Sequence, residues 1–410
     1  MRILLTTVGG SPEPIKTTWD HWRPTKTYFI CSEDDRYSGQ RGSYTKVDNM
    51  TPEGGLVQQL QLTSDAYEII LVPGDRLDSA YTKITEVIRA IGIAYPDAQI
   101  AADYTGGTKS MSSALVLAAL DSPGIEVFVV TGTRKDLVKV EQGTQRTRRV
   151  RIDAVYIRRE FQLALKHWEH YDYAPAASRL NQLIQGQEVS EADEQIYRAE
   201  QISLAYAAWD CCRYQQAYHQ LTPFVGVVPA LQIYVEQVHF LLDDQDALRR
   251  DYLRIWDLWF NALRRARQGR FDDGVARCYR LVEAAAQWLL KHVYDIDTSK
   301  VRYDQLPEGF RPAATQDTVQ LGLFEAWRLI SRLDRGPLAQ WIGQEREHLE
   351  HYISIRNYSC LAHGLRPITE EEWAQWQTWL ETSFFPALQA QGRDHGLRKT
   401  PQQLPRTWFS

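Results

Sequence analysis

The sequence predicts a three-part chain: an α/β domain on a doubly wound parallel sheet, then an all-α connector, then a second all-α domain. Two observations carry this. Up to about residue 150, short β-rich runs alternate with helical stretches across Gly/Pro turns. From Ala154 onward the strand signal stops, and apolar residues recur at helical spacing to about Gln391. A chain of 410 residues is long enough for two or three domains, each burying its own core. The expected parts are 1–153, 154–250 and 251–395, followed by a loose polar tail, 396–410.

In the first part the candidate strands are Ile3 to Val8, Thr27 to Cys31, Glu68 to Val72, Gln99 to Tyr104 and Glu126 to Thr131. Helices are expected over Ser79 to Ile91 and Ser110 to Leu120. Near-continuous apolar strands alternating with helices imply a sheet covered on both faces, whose ligands sit at the carboxyl ends of strands. Leu137 to Val140 and Arg148 to Ile152 read as an edge hairpin, with Arg146, Arg148, Arg149 and Arg151 on a solvated face. Tyr173 with Ala176, Tyr214 with Ala217 and, less exactly, Phe271 with Gly274 repeat a motif at intervals of 41 and 57 residues, which excludes a regular solenoid of fixed period. The second helical block is broken over Thr298 to Thr315, and its last long helix opens on a capping box, Thr369 to Glu372.

Lys and Arg total 47 against 52 Asp and Glu, a formal charge of −5, so any nucleic-acid contact must be local rather than a coating by bulk charge. Five cysteines with no CxxC pair suggest neither a disulfide framework nor a zinc site. The N-terminal apolar run is too short for a signal-peptide core, and nowhere do about 18 apolar residues run together. A cytoplasmic protein with no membrane partner is expected. Thirteen Trp and 21 Tyr read as core packing rather than as platforms for bases.

Two glycine turns stand out. Asp103-Tyr104-Thr105-Gly106-Gly107-Thr108-Lys109-Ser110-Met111 lies where a strand ends and a helix begins. Its glycines let backbone N–H groups approach an anion, the helix N-terminus adds partial positive charge, and Thr105, Thr108, Ser110 and Lys109 supply donors. It is not a Walker A loop, since Thr108 separates Gly107 from Lys109. Thr7-Val8-Gly9-Gly10-Ser11 follows the first strand and is expected to open on the same sheet edge. Each pair alone also reads as a tight turn; together they make a polar ledge suited to phosphate.

A second constellation is Ile353 to Gly364. His363 lies seven positions after Arg356, so on one helix they differ by about 20° and share a face with Ser359. Gly364 and Pro367 would then end that helix, with Gly364 as a left-handed cap. RNA cleavage by its own 2′-hydroxyl needs a proton-transfer group and a cation at phosphate, roles that suit His363 and Arg356 and require no metal. The bland alternative is a cation capping a carboxylate and a histidine closing a helix. Arg264, Arg265, Arg267 and Arg270 form a basic cluster that would serve RNA entering a cleft, while Arg280 and Glu283 read as an intrahelical ion pair.

The stretch Asp103 to Met111, with Thr7 to Gly10, resembles the CARF (CRISPR-associated Rossmann-fold) sensor domain over about residues 1 to 150. That resemblance implies a homodimer binding a cyclic oligoadenylate over Thr7, Gly9, Gly10, Ser11, Thr105, Gly106, Gly107, Thr108 and Lys109. Arg356 and Asn357 followed by His363 and Gly364 resemble the Arg-Asn…His box of HEPN ribonucleases, and Arg270 to Glu283 is similar to the first long helix of that fold. Arg356, Asn357 and His363 are carried over as catalytic. Together the resemblance implies a type III CRISPR accessory ribonuclease cutting single-stranded RNA, with no cofactor, activated by cyclic tetra-adenylate in preference to hexa-adenylate. The competing classes are a ring nuclease degrading its ligand with Thr7, Ser11, Thr108 or Lys109, and a messenger-gated regulator. No winged-helix pattern supports the latter.

Overall fold

The computed structural model describes residues 1–35, 39–48, 54–132, 134–135, 139–140, 145–150, 153–184, 191–308, 310 and 318–409. The chain divides into two compact units, Met1–Arg159 and Glu160–Ser410. The first is the α/β domain and the second is helical.

Five parallel strands form the sheet of the first unit: β1 (Arg2–Thr7), β2 (Lys26–Ser32), β3 (Tyr67–Val72), β4 (Gln99–Asp103) and β5 (Ile125–Thr131). A sixth, β6 (Arg146–Val150), joins the edge antiparallel to β5, so the order is β3-β2-β1-β4-β5-β6. Buried on both faces, β1 sends Ile3 and Leu5 to one layer and Leu4 to the other. This is why its sequence reads as continuously apolar rather than alternating. Helices Leu77–Ala94 and Lys109–Leu120 cover the Ile3 side, while Trp19 and Trp22 of helix Glu13–Trp22 cover the Leu4 side. From β1 the chain winds outward to β2 and β3, then crosses back to β4. The switch point of the sheet therefore lies between the carboxyl ends of β1 and β4.

The expected edge hairpin differs. The partner of β6 is β5, with Val127 opposite Val150 and Thr131 opposite Arg146, while Arg134–Lys135 pairs with Lys139–Val140. Leu137, Val138, Arg151 and Ile152 lie outside the described residues.

The connector and the second helical block share one core in the second unit, running from Trp168 through Trp209, Trp256 and Leu289 to Leu404. The tryptophans do pack inside: Trp168, Trp209, Trp327 and Trp376 are fully buried. At the centre of this core is a charged cluster. Asp210, closing helix Glu191–Asp210, accepts from Arg264 Nε at 2.7 Å and from Arg265 Nη2, and its backbone carbonyl accepts from Asn261 Nδ2 at 2.7 Å. Asp257 accepts from Trp209 Nε1 at 3.0 Å and Tyr214 OH at 2.8 Å, with Arg264 Nη2 3.8 Å away. Arg264 and Arg265, expected to form part of a basic surface for RNA, are thus buried and neutralised. Arg270 is exposed and pairs with Asp273.

The segment after residue 396 is not loose. Leu397 and Leu404 are buried, Gln403 Oε1 accepts from Arg264 Nη1 at 2.7 Å, Tyr173 OH donates to Pro405 O at 2.6 Å, and Trp408 meets Trp168 edge-on at 5.3 Å. Its apolar residues, sparse among polar neighbours, are enough to seat it. Among the described residues no helix is long and apolar enough to cross a membrane.

Replacing Asp210 by Ala leaves a fully buried guanidinium without its nearest counter-charge, so a loss of about 3–5 kcal/mol is expected. Urea denaturation followed by tryptophan fluorescence measures it. An unchanged midpoint would show that the cluster contributes nothing net.

Candidate functional site

The two glycine turns meet. Because β1 and β4 are parallel neighbours, with Thr6 opposite Asp103, their carboxyl-terminal loops leave the sheet side by side. A Cβ on Gly106 would lie 2.4 Å from Thr7 O, and one on Gly9 would lie 2.6 Å from Gly107 N. Gly107 also takes a left-handed φ of +80°. These positions are glycine because two backbones touch there, and a side chain on either would separate them. Thr108 caps helix Lys109–Leu120, its Oγ1 accepting from Met111 N at 3.2 Å, and the first-turn N–H groups of that helix have no intrahelical acceptor.

Not every expected ligand group is free. Thr7 Oγ1 donates to Gly106 O at 2.7 Å, Thr105 Oγ1 donates to Asp103 Oδ1 at 2.5 Å and accepts from Val130 N at 2.7 Å, and Thr108 Oγ1 donates to Gly74 O. Those three hydroxyls shape the loops. Gly10, Ser11 and Lys109 are the exposed members of the set. Lys109 does not pair with Asp103, which is fully buried and held by Thr6 and Thr105. Burial pushes the Asp103 carboxyl up, opposed by those hydrogen bonds. One cation escaped the sequence reading: Lys46 Nζ donates to Gly10 O at 3.1 Å, placing an ammonium on the ledge from the segment after β2. No spacing motif marks it.

The Arg–His constellation, in the second unit, forms differently from the expected helix. Helix Pro337–Asn357 stops one residue after Arg356, and His363 lies in a tight turn. There His363 N donates to Asn357 O at 3.1 Å, so the turn brings the His363 backbone onto the residue next to Arg356. Ser359 bridges to Arg366, and Gly364 is not a left-handed cap: a Cβ there would meet Tyr358 O at 1.9 Å, so the position needs glycine for close approach. Tertiary contacts end the helix. Asp272, in the first turn of helix Phe271–Tyr294, accepts from Cys360 Sγ at 3.2 Å and from Ile368 N at 3.1 Å, clamping both arms of the turn. Arg366 pairs with Glu372, the residue that completes the Thr369 capping box.

Arg356 Nη1 donates to Asn357 Oδ1 at 3.2 Å, and its guanidinium carbon sits 4.5 Å from the centroid of Tyr279. His363 is exposed. Around it Tyr358, Leu361 and Leu365 are also exposed, Leu365 at 95%. Arg280 donates to Glu283 and Gln287 of its own helix, the intrahelical arrangement expected of it. Chemically, the turn offers a fixed guanidinium for an anion and an accessible imidazole for proton transfer.

Residues 246–383 match the family described as the Csm6 HEPN domain. Among solved structures, Csm6 from Enterococcus italicus, bound to cyclic hexa-2′-fluoro-hexa-dAMP, superposes with a TM-score of 0.62 at 12% identity. The match covers 96% of this chain and 95% of that one. Over nearly its whole length the chain has the fold of Csm6. The Arg356–His363 turn lies inside the region that matches the Csm6 HEPN domain. Can2 from Sulfobacillus thermosulfidooxidans, in complex with cyclic tetra-adenylate, overlaps 55% of this chain and 68% of its own at 10% identity, but with a TM-score of 0.24 it carries no argument about the fold. No curated protein matches the sequence.

Two variants test the geometry. Gly106→Ala should destabilise the α/β unit by about 1–3 kcal/mol by wedging the β1 and β4 loops apart, measurable as a lowered thermal midpoint. Asp272→Ala should raise hydrogen exchange at the Ile368 amide. Unaltered protection there would mean that Asp272 does not clamp the turn.

Proposed function

We propose that the protein is a metal-independent endoribonuclease that cuts single-stranded RNA and is switched on by a cyclic oligoadenylate in type III CRISPR defence, working as a cytoplasmic homodimer. The observation that carries the reading is the turn that folds His363 onto Asn357 beside Arg356, inside the region matching the Csm6 HEPN domain. In the proposed reaction the ribose 2′-oxygen attacks the adjacent phosphorus and the 5′-oxygen leaves. His363 handles the proton, Arg356 meets the negative charge that builds on phosphate, and Asn357 holds Arg356. The products are a 2′,3′-cyclic phosphate and a 5′-hydroxyl.

A second copy of the chain is the proposed cover for Tyr358, Leu361 and Leu365, whose exposure beside a catalytic pair is otherwise unfavourable. It would bring a second Arg356 and His363 to a shared cleft. In the CARF domain, the messenger is proposed to lie on Gly9, Gly10 and Ser11 of one loop and Gly106, Gly107 and Lys109 of the other. Thr7, Thr105 and Thr108 would shape the ledge from beneath. Cyclic tetra-adenylate is the proposed ring, and the hexameric analogue held by Enterococcus italicus Csm6 names the competitor. Degradation of the ring by Thr7 or Thr108 is less well supported, because both hydroxyls are committed to backbone carbonyls.

Purified protein with a fluorescent single-stranded RNA, each cyclic oligoadenylate in turn and EDTA throughout tests the whole reading. Cleavage is expected only with messenger, and Arg356→Ala and His363→Ala should each abolish it without weakening messenger binding. A strict magnesium requirement, or full activity in His363→Ala, would overturn the assignment. Lys109→Ala should weaken messenger binding by about 1–3 kcal/mol, the scale of one charge-assisted contact, with cleavage restored at saturating ligand. Calorimetry showing wild-type affinity would remove Lys109 from the site.

A further inference from the structure

Arg356 is held from two sides, and only one of them was visible in the Arg-Asn…His pattern. Asn357, its neighbour in sequence, accepts from Nη1 at 3.2 Å. The other support comes from helix Phe271–Tyr294, whose Tyr279 ring lies 4.5 Å from the guanidinium carbon. Arg356 Nε is buried and has no hydrogen-bond acceptor among the described residues. An aromatic face partly offsets the burial of a cationic donor, because its negative quadrupole attracts the charge without consuming a hydrogen bond. A carboxylate in the same place would neutralise the guanidinium and compete with phosphate for its N–H groups. The ring therefore supplies orientation while leaving the charge available.

We propose that Tyr279 is a positioning residue for the ribonuclease reaction: its ring fixes the plane of the Arg356 guanidinium so that the N–H groups not held by Asn357 face the scissile phosphate. The inference rests on the ribonuclease reading above. The ring face does this work, and the hydroxyl does not. Burial pushes the Tyr279 hydroxyl up, with the Glu283 carboxylate acting in the same direction, so the ring stays neutral under physiological conditions. Arg280, next to it on the helix, is turned to Glu283 and Gln287, so its charge is directed along its own helix.

The test compares Tyr279→Phe, Tyr279→Leu and Tyr279→pentafluorophenylalanine in the full-length protein, with saturating cyclic oligoadenylate and a fluorescent RNA. Phe keeps the aromatic face and should retain activity within about threefold. Leu removes the face, and the fluorinated ring keeps the shape but reverses the quadrupole. Both should lower kcat by roughly tenfold with KM for RNA little changed. Wild-type kcat in the fluorinated variant would overturn the inference even if the Leu variant failed to fold, and so would equal losses in Phe and Leu, which would assign the role to the hydroxyl. Arg356→Ala is the control that separates the two proposals. If it still cleaves, the ribonuclease reading itself fails; if it is inactive while the fluorinated variant matches wild type, only the role of Tyr279 is lost.

Discussion

The helical unit depends on Asp210. One carboxylate at the end of helix Glu191–Asp210 receives two consecutive arginines, Arg264 and Arg265, and its backbone carbonyl receives Asn261. A guanidinium with no solvent exposure needs its charge balanced, and here Asp210 takes Arg264 Nε, Gln403 takes Nη1, and Asp257 stands 3.8 Å from Nη2, which has no hydrogen-bond acceptor among the described residues. Three stretches distant in sequence are joined by this: the connector through Asp210, the HEPN domain through Arg264 and Arg265, and the C-terminal segment through Gln403. Directional charge pairs and the apolar core around them join the same helices.

In the α/β unit the corresponding constraint is backbone contact rather than charge. Thr7 O and Gly106 approach so closely that neither loop can move without the other, and Thr7 Oγ1 bonds the same residue. The contact joins the loops that carry Gly10, Ser11 and Lys109 at the switch point of the sheet, with Lys46 bonded to Gly10 O, and this is the ledge proposed for the anion. A ledge held rigid from beneath would bind the proposed phosphate without ordering its loops anew at each binding event.

The HEPN site follows a third logic, in which a helix is cut short so that a histidine can return. Asp272 draws Cys360 and Ile368 toward the start of another helix, and the backbone gained by ending at Asn357 makes the turn. The residues proposed to carry the chemistry are few, with His363 exposed and Arg356 and Asn357 half-buried. Those that hold them, Asp272, Glu372, Gly364 and Tyr279, come from three separate segments.

Local signals determined much of this protein. Five apolar runs determined the parallel strands, because burial on both faces leaves a continuous hydrophobic pattern. The glycine pairs determined that backbones approach closely at two turns, and the Thr369 capping box determined where one helix begins. The rest was decided by contacts between residues far apart in the chain, which periodicity does not encode. An arginine reads as surface until its carboxylate is located, so Arg264 and Arg265 belonged to the interior only once Asp210 and Gln403 were in place. Helical spacing put Arg356 and His363 on one face, yet Asp272, 88 residues from Cys360, ended that helix and brought His363 back through a turn. The C-terminal segment read as polar because its composition is polar. Leu404 and Trp408 seat it, since a few apolar side chains over an existing groove outweigh the average character of the segment around them.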